Sequence, residues 1–346
     1  MLGFGKRRRV RLNLALQGGG AHGAFTWGVL DRLLDLPGLE IGTVSATSAG
    51  AVNAVALASG LATGGRVGAK ATLRAVWEAI GRSGIPRFLR FNPLVAGFAS
   101  LQAMASSGVG PLAGALSPYE FNPFDFNPLR TLLEENVDFA AIRARQPVRL
   151  LIAATSVLDG RARLFRDSEI TVEAVLASGC LPTIHRAIEI DGISYWDGGF
   201  SANPDLVVLA GESAVRDTLL VLLNAVAIAE VPKDGREIAA HINRLTFNAP
   251  LLRDVAVIRD ALSADGTFAK PQTRRLARHR FHLVEAAEHT ATLAPETKMK
   301  PDRALLENLH AAGRDEATLW IEKYSKDIGR RGTVDLPMHL LGLSTI

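Results

Sequence analysis

Apolar residues near the start of the chain recur with the spacing of strands and helices. Val10–Leu16 places them at every second position and ends at a glycine, as a strand does. A helical spacing follows over residues 24–36, then a short strand over 41–46 and a helix of small residues over 49–58. This order of strand, turn and helix, repeated once, predicts a parallel sheet covered by helices.

The same patterns assign the rest of the chain to an α/β fold. The further predicted strands cover residues 148–157, 161–165, 188–190, 194–196, 218–223 and 281–285, and the further helices cover 66–80, 129–139 and 172–178. Asp191 and Gly192 form the Asp-Gly turn that is typical of a tight hairpin. From residue 236 the pattern is mainly helical and is broken by Pro250, and residues 303–324 are expected to form an amphipathic helix pair on the outside.

The length of 346 residues suits one large domain. We expect a three-layer α/β/α core with a mainly parallel sheet over residues 10–210. Residues 211–346 follow in the same domain as a last core strand and a mainly helical extension. An irregular stretch over 81–127, rich in proline, glycine and phenylalanine, predicts a lid or a substrate-facing insertion. Its uncharged part, 91–119, is interrupted by polar residues and glycines, so a membrane span is not expected.

Charge and cysteine content indicate which partners and which cellular compartment to expect. The formal net charge is +4, and part of it lies at positions 6–9, in a basic tail over residues 1–9. Such a run is either simply solvated or attracted to an anionic surface. Nucleic acid is not expected as a partner, because no DNA- or RNA-binding motif accompanies the charge. The single Cys180 excludes an intramolecular disulfide, and with no secretory signal in view it favours a cytoplasmic protein.

A glycine loop follows the first strand and raises the question of its ligand. Gly18, Gly20 and Gly23 match the G-x-G-x-x-G pattern of a dinucleotide site. That site needs an acidic residue at the carboxyl end of the second strand. Glu40 has roughly the right spacing but stands before that strand, and Ser48 occupies the carboxyl end instead. The sequence therefore disfavours a nucleotide cofactor.

Ser48 is a candidate nucleophile. It joins a strand to a helix within the segment "ATSAG", and its small neighbours permit the sharp turn that exposes a hydroxyl at a helix N-terminus. A plain helix N-cap is the simpler alternative. The glycine loop adds weight to the catalytic interpretation, because its backbone N–H groups could stabilise an oxyanion, each by about 100- to 1000-fold in rate. Two successive parallel strands would bring the loop and Ser48 to the same edge of the sheet.

The candidate base is Asp197, which leaves a short strand at two glycines. An ordinary Asp-Gly turn is the alternative for this segment. A carboxylate is a good base only where a dry site raises its pKa. A Ser-His-Asp arrangement also stays open, since several histidines lie downstream of Ser48: His185, His241, His279, His282 and His289.

Taken together, "QGGGAHGA", "ATSAGA" and "DGG" resemble the motifs of the patatin-like phospholipase family, over about residues 12–208. The resemblance implies a Ser-Asp dyad, with Ser48 as nucleophile, Asp197 as base and the loop Gly18, Gly19 and Gly20 as oxyanion hole. The sequence departs from the family at three positions, where Gln17 replaces an acid, His22 replaces a basic residue and Ala46 replaces a glycine.

These observations predict a serine acyl hydrolase that cleaves lipid carboxylic esters, of phospholipase A or lysophospholipase type, with no metal or organic cofactor. Its expected partners are a lipid or acyl-ester substrate and, peripherally, a membrane or lipid-granule surface. The alternative from another class is a non-catalytic module that binds a lipid surface or has a regulatory binding role. The motifs leave the substrate open among phospholipids, lysophospholipids, acylglycerols, thioesters and polyesters.

Overall fold

The computed structural model describes residues 9–82, 117–228, 230–264, 269–290, 293, 297–298 and 301–342. Most of the basic tail and residues 83–116 of the predicted lid lie outside the described residues.

A sheet forms the middle layer of the described chain. Its strands are β1 (Val10–Leu16), β2 (Leu39–Thr47), β3 (Arg149–Ser156), β4 (Ala162–Arg166), β5 (Ile188–Ile190), β6 (Ile193–Asp197), β7 (Asp217–Leu222) and β8 (Arg280–Glu285). Their order is β5-β6-β3-β2-β1-β7-β8, and β4 also pairs with β3. Neighbours from β3 through β2, β1 and β7 to β8 run parallel, whereas β4, β5 and β6 form antiparallel pairs at one side. The predicted, mainly parallel sheet is confirmed.

Helices cover the sheet on both faces. They are α1 (Gly23–Leu33), α2 (Ala49–Arg82), α3 (Pro118–Phe121), α4 (Pro128–Asn136), α5 (Phe139–Arg145), α6 (Val172–Ser178), α7 (Leu206–Glu212), α8 (Gly235–Ser263), α9 (Pro271–Ala277), α10 (Ala287–Thr290), α11 (Arg303–Tyr324) and α12 (Leu336–Leu341). Strand side chains alternate between two buried clusters, so that Leu14 and Leu16 face α1 and α2 while Ala15 faces α7 and α8. This alternation produces the three-layer α/β/α arrangement.

Two predicted helix boundaries differ from the observed ones. The predicted helices 49–58 and 66–80 belong to α2, which is interrupted at Gly64 and Gly65, where the backbone is not helical. The predicted helix 129–139 is divided into α4 and α5, and Asp138 begins α5 by accepting a hydrogen bond from the Ala141 N–H group.

The predicted break at Pro250 is wrong, because α8 continues through it. A proline inside a helix removes one backbone hydrogen bond and crowds the preceding turn. Beyond Pro250, however, Leu251, Val255 and Ile258 are buried in the cluster between α8 and the sheet. Burial of these side chains outweighs the local penalty and keeps the helix continuous.

The predicted helix pair over residues 303–324 is also wrong, since α11 is one continuous helix that lies against α1. A Cβ atom at Gly28 would come within 2.0 Å of the His310 carbonyl oxygen, and one at Gly313 would come equally close to the Phe25 carbonyl oxygen. Only glycine at both positions permits this close backbone approach. The C-terminal helix therefore shares the buried cluster of α1 instead of lying loosely outside it.

Among the helices described, none combines the length and the hydropathy required to cross a bilayer.

Candidate active site

A cavity of about 640 Å³ opens at the carboxyl ends of β1 and β2. Such an edge is the usual ligand site of parallel α/β sheets. Its polar wall contains the glycine loop, Ser48 and Asp197. The other walls include residues 181–184, Phe200, residues 223–225, one face of α8 and Lys298. The residues predicted to carry the chemistry therefore lie in one cavity.

Ser48 stands in a sharp turn between β2 and α2. Its φ is +55°, a left-handed conformation that is uncommon for a residue with a side chain. The Ser48 N–H group donates a hydrogen bond of 2.9 Å to Ser178 Oγ. Ser178 is the last residue of α6, so this contact connects the turn to a neighbouring helix. A Cβ atom at Gly50 would lie 2.3 Å from the Leu16 carbonyl oxygen, so the small residue is required for α2 to start this close to β1. The turn presents the Ser48 hydroxyl to the cavity.

The glycine loop packs directly against this turn. A Cβ atom at Gly18 would lie only 2.8 Å from Ser48 Cβ. The Gly18 N–H group donates to Asn203 Oδ1 at 2.8 Å and is therefore occupied. The N–H groups of Gly19 and Gly20 have no hydrogen-bond acceptor among the described residues. Two of the three predicted oxyanion donors are thus free, and Gly18 acts instead as the close contact to Ser48.

Asp197 ends β6, beside Ala154 of β3, and is fully buried. Its Oδ1 atom accepts a 2.7 Å hydrogen bond from the Gly199 N–H group. Its Oδ2 atom has no partner of standard geometry in the described chain, although the Ser48 hydroxyl is near enough to favour the charged carboxylate. Burial outweighs both contacts and raises the pKa of Asp197 to about 7. This dry site supplies the condition that a carboxylate base requires.

The sequence model of the patatin-like phospholipase family matches residues 14–210, which is more than half of the chain. The chain belongs to the patatin-like phospholipase family. A comparison with curated proteins gives no match.

Solved structures resemble the chain at low sequence identity. VipD from Legionella pneumophila is 14% identical, with a TM-score of 0.42, and the match covers 90% of this chain and 67% of that one. The type III effector protein ExoU is 16% identical, with a TM-score of 0.32, over 91% of this chain. The chain spans about half the length of that ExoU structure, 54%. Because these TM-scores are low, the family assignment rests on the sequence match.

Two departures from the family motif have clear structural roles. Gln17 is buried, and its Oε1 atom accepts hydrogen bonds from the N–H groups of Leu223 at 2.8 Å and Asn224 at 2.9 Å. An ionised acid is not required for this clamp between the ends of β1 and β7. His22 is buried beside the loop, and its Nε2 atom lies 2.8 Å from Thr297 Oγ1. Burial, and secondly the Lys298 charge, lower the pKa of His22 to about 4, so that it is neutral at pH 7.

Sequence reasoning missed three polar residues around the loop. Asn203 holds Gly18 and also donates to the Phe247 carbonyl oxygen of α8 at 2.9 Å. Asn224 donates to the Gly18 carbonyl oxygen at 3.2 Å and accepts a hydrogen bond from Lys298 Nζ. These contacts join residues from distant parts of the chain, and no local pattern marks them.

The downstream histidines take other places in this patatin-like fold. None of the five lies on the cavity wall formed by the described residues. Three have polar partners elsewhere, since His279 contacts Thr218, His282 contacts Asp217 and Thr333, and His289 contacts Glu316. Among the described residues, none of these five histidines is therefore placed to form a Ser-His-Asp arrangement with Ser48.

Two alternative ligands also lack support at this site. Glu40 lies at the start of β2, opposite the loop, and forms an ion pair of 3.1 Å with Arg9, so it does not complete a dinucleotide site. In the part of the chain that the structure describes, no group of three histidine, cysteine or acidic side chains is placed to bind a metal ion.

Proposed function

We propose that this protein is a lipid ester hydrolase in which Ser48 is the nucleophile and Asp197 is the base. One observation carries the proposal: a buried carboxyl oxygen with no hydrogen-bond partner of standard geometry lies near a serine in a strained turn. The same cavity contains two backbone N–H groups that have no acceptor among the described residues. Each of these features is unfavourable for a merely structural site, and each has a use in acyl transfer. Membership of the patatin-like phospholipase family supports a lipid ester as the substrate.

The proposed first half-reaction acylates Ser48. Asp197 Oδ2 takes the Ser48 hydroxyl proton while Ser48 Oγ forms a bond to the ester carbonyl carbon. Gly19 and Gly20 N–H groups receive the negative charge on the carbonyl oxygen. The carbon–oxygen bond to the alcohol then breaks, and the alcohol takes the proton from Asp197. In the second half-reaction a water molecule passes a proton to Asp197 while its oxygen forms a bond to the acyl carbon. The bond from that carbon to Ser48 Oγ then breaks, Ser48 takes the proton from Asp197, and the fatty acid leaves.

The walls of the cavity favour an acyl chain. Leu181, Ile184, Phe200 and Phe247 line it close to the reacting groups. Such walls bind hydrocarbon because each Å² of apolar surface removed from water contributes about 25 cal/mol of favourable free energy. The proposed arrangement requires no cofactor.

The outer face of α8 carries exposed apolar side chains that could contact a lipid surface. Ile242 and Leu245 expose 58% and 54% of their surface, and Ile238 stands one turn earlier on the same face. The neighbouring face of this helix lines the cavity. We propose that this apolar stripe contacts a membrane or lipid-granule surface peripherally and brings the cavity opening to the lipid. The single, buried and unpaired Cys180 is compatible with a cytoplasmic location.

Hydrolysis of p-nitrophenyl butyrate tests the proposed roles. Ser48→Ala and Asp197→Asn should each lower kcat/KM by about 1000-fold or more. Asp191→Asn is the matched control, because it changes an exposed aspartate of the adjacent hairpin. Activity of Asp197→Asn within tenfold of wild type would exclude the dyad. Wild-type protein that binds vesicles but hydrolyses no ester would favour the non-catalytic alternative.

A further inference from the structure

The cavity contains two cations in addition to the proposed reacting groups. Arg244 comes from the face of α8 that also carries Ala240 and Phe247, at positions one helical turn apart. Lys298 comes from the C-terminal part of the chain and lines the same cavity. Neither cation belongs to the sequence motifs of the active site.

Neither cation has an acidic partner in the part of the chain that the structure describes. Within the described residues, Arg244 and Lys298 form no ion pair, and Asp197 is the sole acidic side chain on the cavity wall. Lys298 Nζ donates only to the neutral Asn224 side chain. The ion pairs among the described residues lie away from this cavity, such as Lys70 with Asp31 and Asp35. Among the described residues, the two cations therefore add positive charge to the cavity wall that no ion pair neutralises.

This placement is electrostatically unfavourable without a ligand. Burial, and secondly the neighbouring Arg244 charge, lower the pKa of Lys298 to about 8. Removing an ammonium group from water and setting it near another cation disfavours the charged form. An anion that contacts both groups would reverse this effect and would be held strongly in so dry a place.

The segments that carry the two cations pack against residues of the proposed reaction. The Lys298 carbonyl oxygen would be 2.3 Å from a Cβ atom at Gly20, so its backbone rests on the glycine loop. Phe247, one turn after Arg244 on α8, packs against Gly199, which binds Asp197. One substrate of modest size therefore reaches both the reacting groups and the cations.

We propose that Arg244 and Lys298 form a subsite for the phosphodiester of a glycerophospholipid or lysophospholipid, and that this subsite selects such esters over neutral acylglycerols and polyesters. The inference rests on the proposed function, because it names the substrate class of the same site. In a glycerophospholipid the ester carbonyl and the phosphate are carried by one glycerol unit, which suits a cavity that contains both Ser48 and the two cations. The carboxylate of a released fatty acid has similar oxygen chemistry, but it would lie at Ser48 itself.

A pair of substrates with the same acyl chain tests the subsite. Lysophosphatidylcholine and monoacylglycerol are presented in the same detergent micelles, and kcat/KM is measured for each. The ratio of the two values should fall about 10- to 100-fold in Arg244→Gln and in Lys298→Met, the effect of losing a hydrogen bond to a charged group. Lys298→Arg should keep the ratio near the wild-type value. Lys233→Met, which removes an exposed lysine ahead of α8, is the control.

The pH dependence provides a second measurement. The KM of wild-type enzyme for lysophosphatidylcholine should rise above about pH 8, as Lys298 loses its charge, whereas Lys298→Arg should not show this rise. Equal losses on both substrates would overturn the proposal and assign the cations to the oxyanion or to stability. Relief of fatty-acid inhibition without a change in the substrate ratio would also overturn it, because the site would then bind the product carboxylate.

A binding measurement separates failure of the subsite from failure of the proposed hydrolysis. Ser48→Ala protein is titrated calorimetrically with glycerophosphocholine, which contains the phosphodiester and no ester. Saturable binding that weakens about 10-fold or more in Ser48→Ala/Arg244→Gln supports the subsite, even if wild-type protein hydrolyses no ester. Binding that is absent, or equal in both proteins, would refute the subsite whether or not the dyad is active.

Discussion

Replacing Asp197 with asparagine preserves the shape of the side chain and removes its charge. In the folded protein, burial raises the pKa of this carboxyl from 3.8 to about 7. Each unit of such a shift corresponds to about 1.4 kcal/mol, so ionised Asp197 destabilises the fold by about 4 kcal/mol. The asparagine variant avoids this penalty and should be more stable than wild type at pH 8.

The direction of this pH dependence follows from the number of protons that the folded and the unfolded protein bind. Between about pH 4 and pH 7 the unfolded chain has lost the Asp197 proton while the folded protein retains it. Wild-type stability should therefore decline relative to Asp197→Asn by about 1.4 kcal/mol per pH unit over this range. Above pH 7 both states are ionised, and the difference should become constant at about 4 kcal/mol.

Urea unfolding at half-unit steps from pH 4.5 to 8.5 measures this difference. Asp191→Asn is the control and should differ from wild type by less than about 0.5 kcal/mol, because Asp191 lies on the surface. In the same proteins, kcat/KM for p-nitrophenyl butyrate should increase with pH in wild type and level off above about pH 7, where Asp197 is deprotonated. Asp197→Asn should be inactive throughout.

The combination of lost activity and gained stability is expected for a catalytic base whose charge is buried, because the charge that the reaction needs destabilises the fold. A variant that is less stable than wild type at every pH would show that Asp197 is a structural residue. A stability difference that does not change between pH 4.5 and 7 would refute the assigned pKa and, with it, the physical basis for using Asp197 as a base.

Three further changes test other parts of the site. Gly18→Ala should lower kcat/KM at least about 10-fold, because its Cβ would displace the nucleophile by contact at 2.8 Å, whereas Gly211→Ala, where a Cβ meets no atom within 4 Å, should retain full activity. Gln17→Leu leaves two buried N–H groups unpaired and should destabilise the protein by about 3 kcal/mol in urea unfolding, and an unchanged midpoint would contradict the clamp. Ile242→Glu should weaken sedimentation with anionic vesicles, while Val257→Glu, at another exposed position of α8 beyond the stripe, should not; equal binding by both would exclude the stripe as the contact surface.

Local patterns in the sequence predicted the elements that carry the site. The period of two in β1, the Asp-Gly hairpin between β5 and β6, and the strand-serine-helix segment around Ser48 each depend on a few adjacent residues. Such signals are strong because glycine and serine have few conformational or chemical substitutes in these positions. The placement of the loop, Ser48 and Asp197 in one cavity followed from the rule that parallel strands end at a common edge.

Other features of the fold and the site could not be predicted from the sequence, because they depend on contacts between distant segments. Gly18 was expected to supply an oxyanion N–H group, but Asn203, brought in by the turn after β6, accepts that hydrogen bond. Lys298 reaches the loop from a part of the chain with no recognisable motif. The continuity of α8 at Pro250 reflects burial of the following turns, which a local breaker signal does not record.

The place of β1 in the sheet also has a consequence for the order in which the molecule assembles. β1 pairs with β2 on one side and with β7 on the other, and Gln17 at its end bonds to residues that directly follow β7. During synthesis the chain must therefore extend beyond residue 224 before the glycine loop has its full set of contacts. Folding that depends on such distant pairings is slow. The nucleophile turn, although encoded near the start of the chain, should be among the last parts of the protein to reach its working geometry.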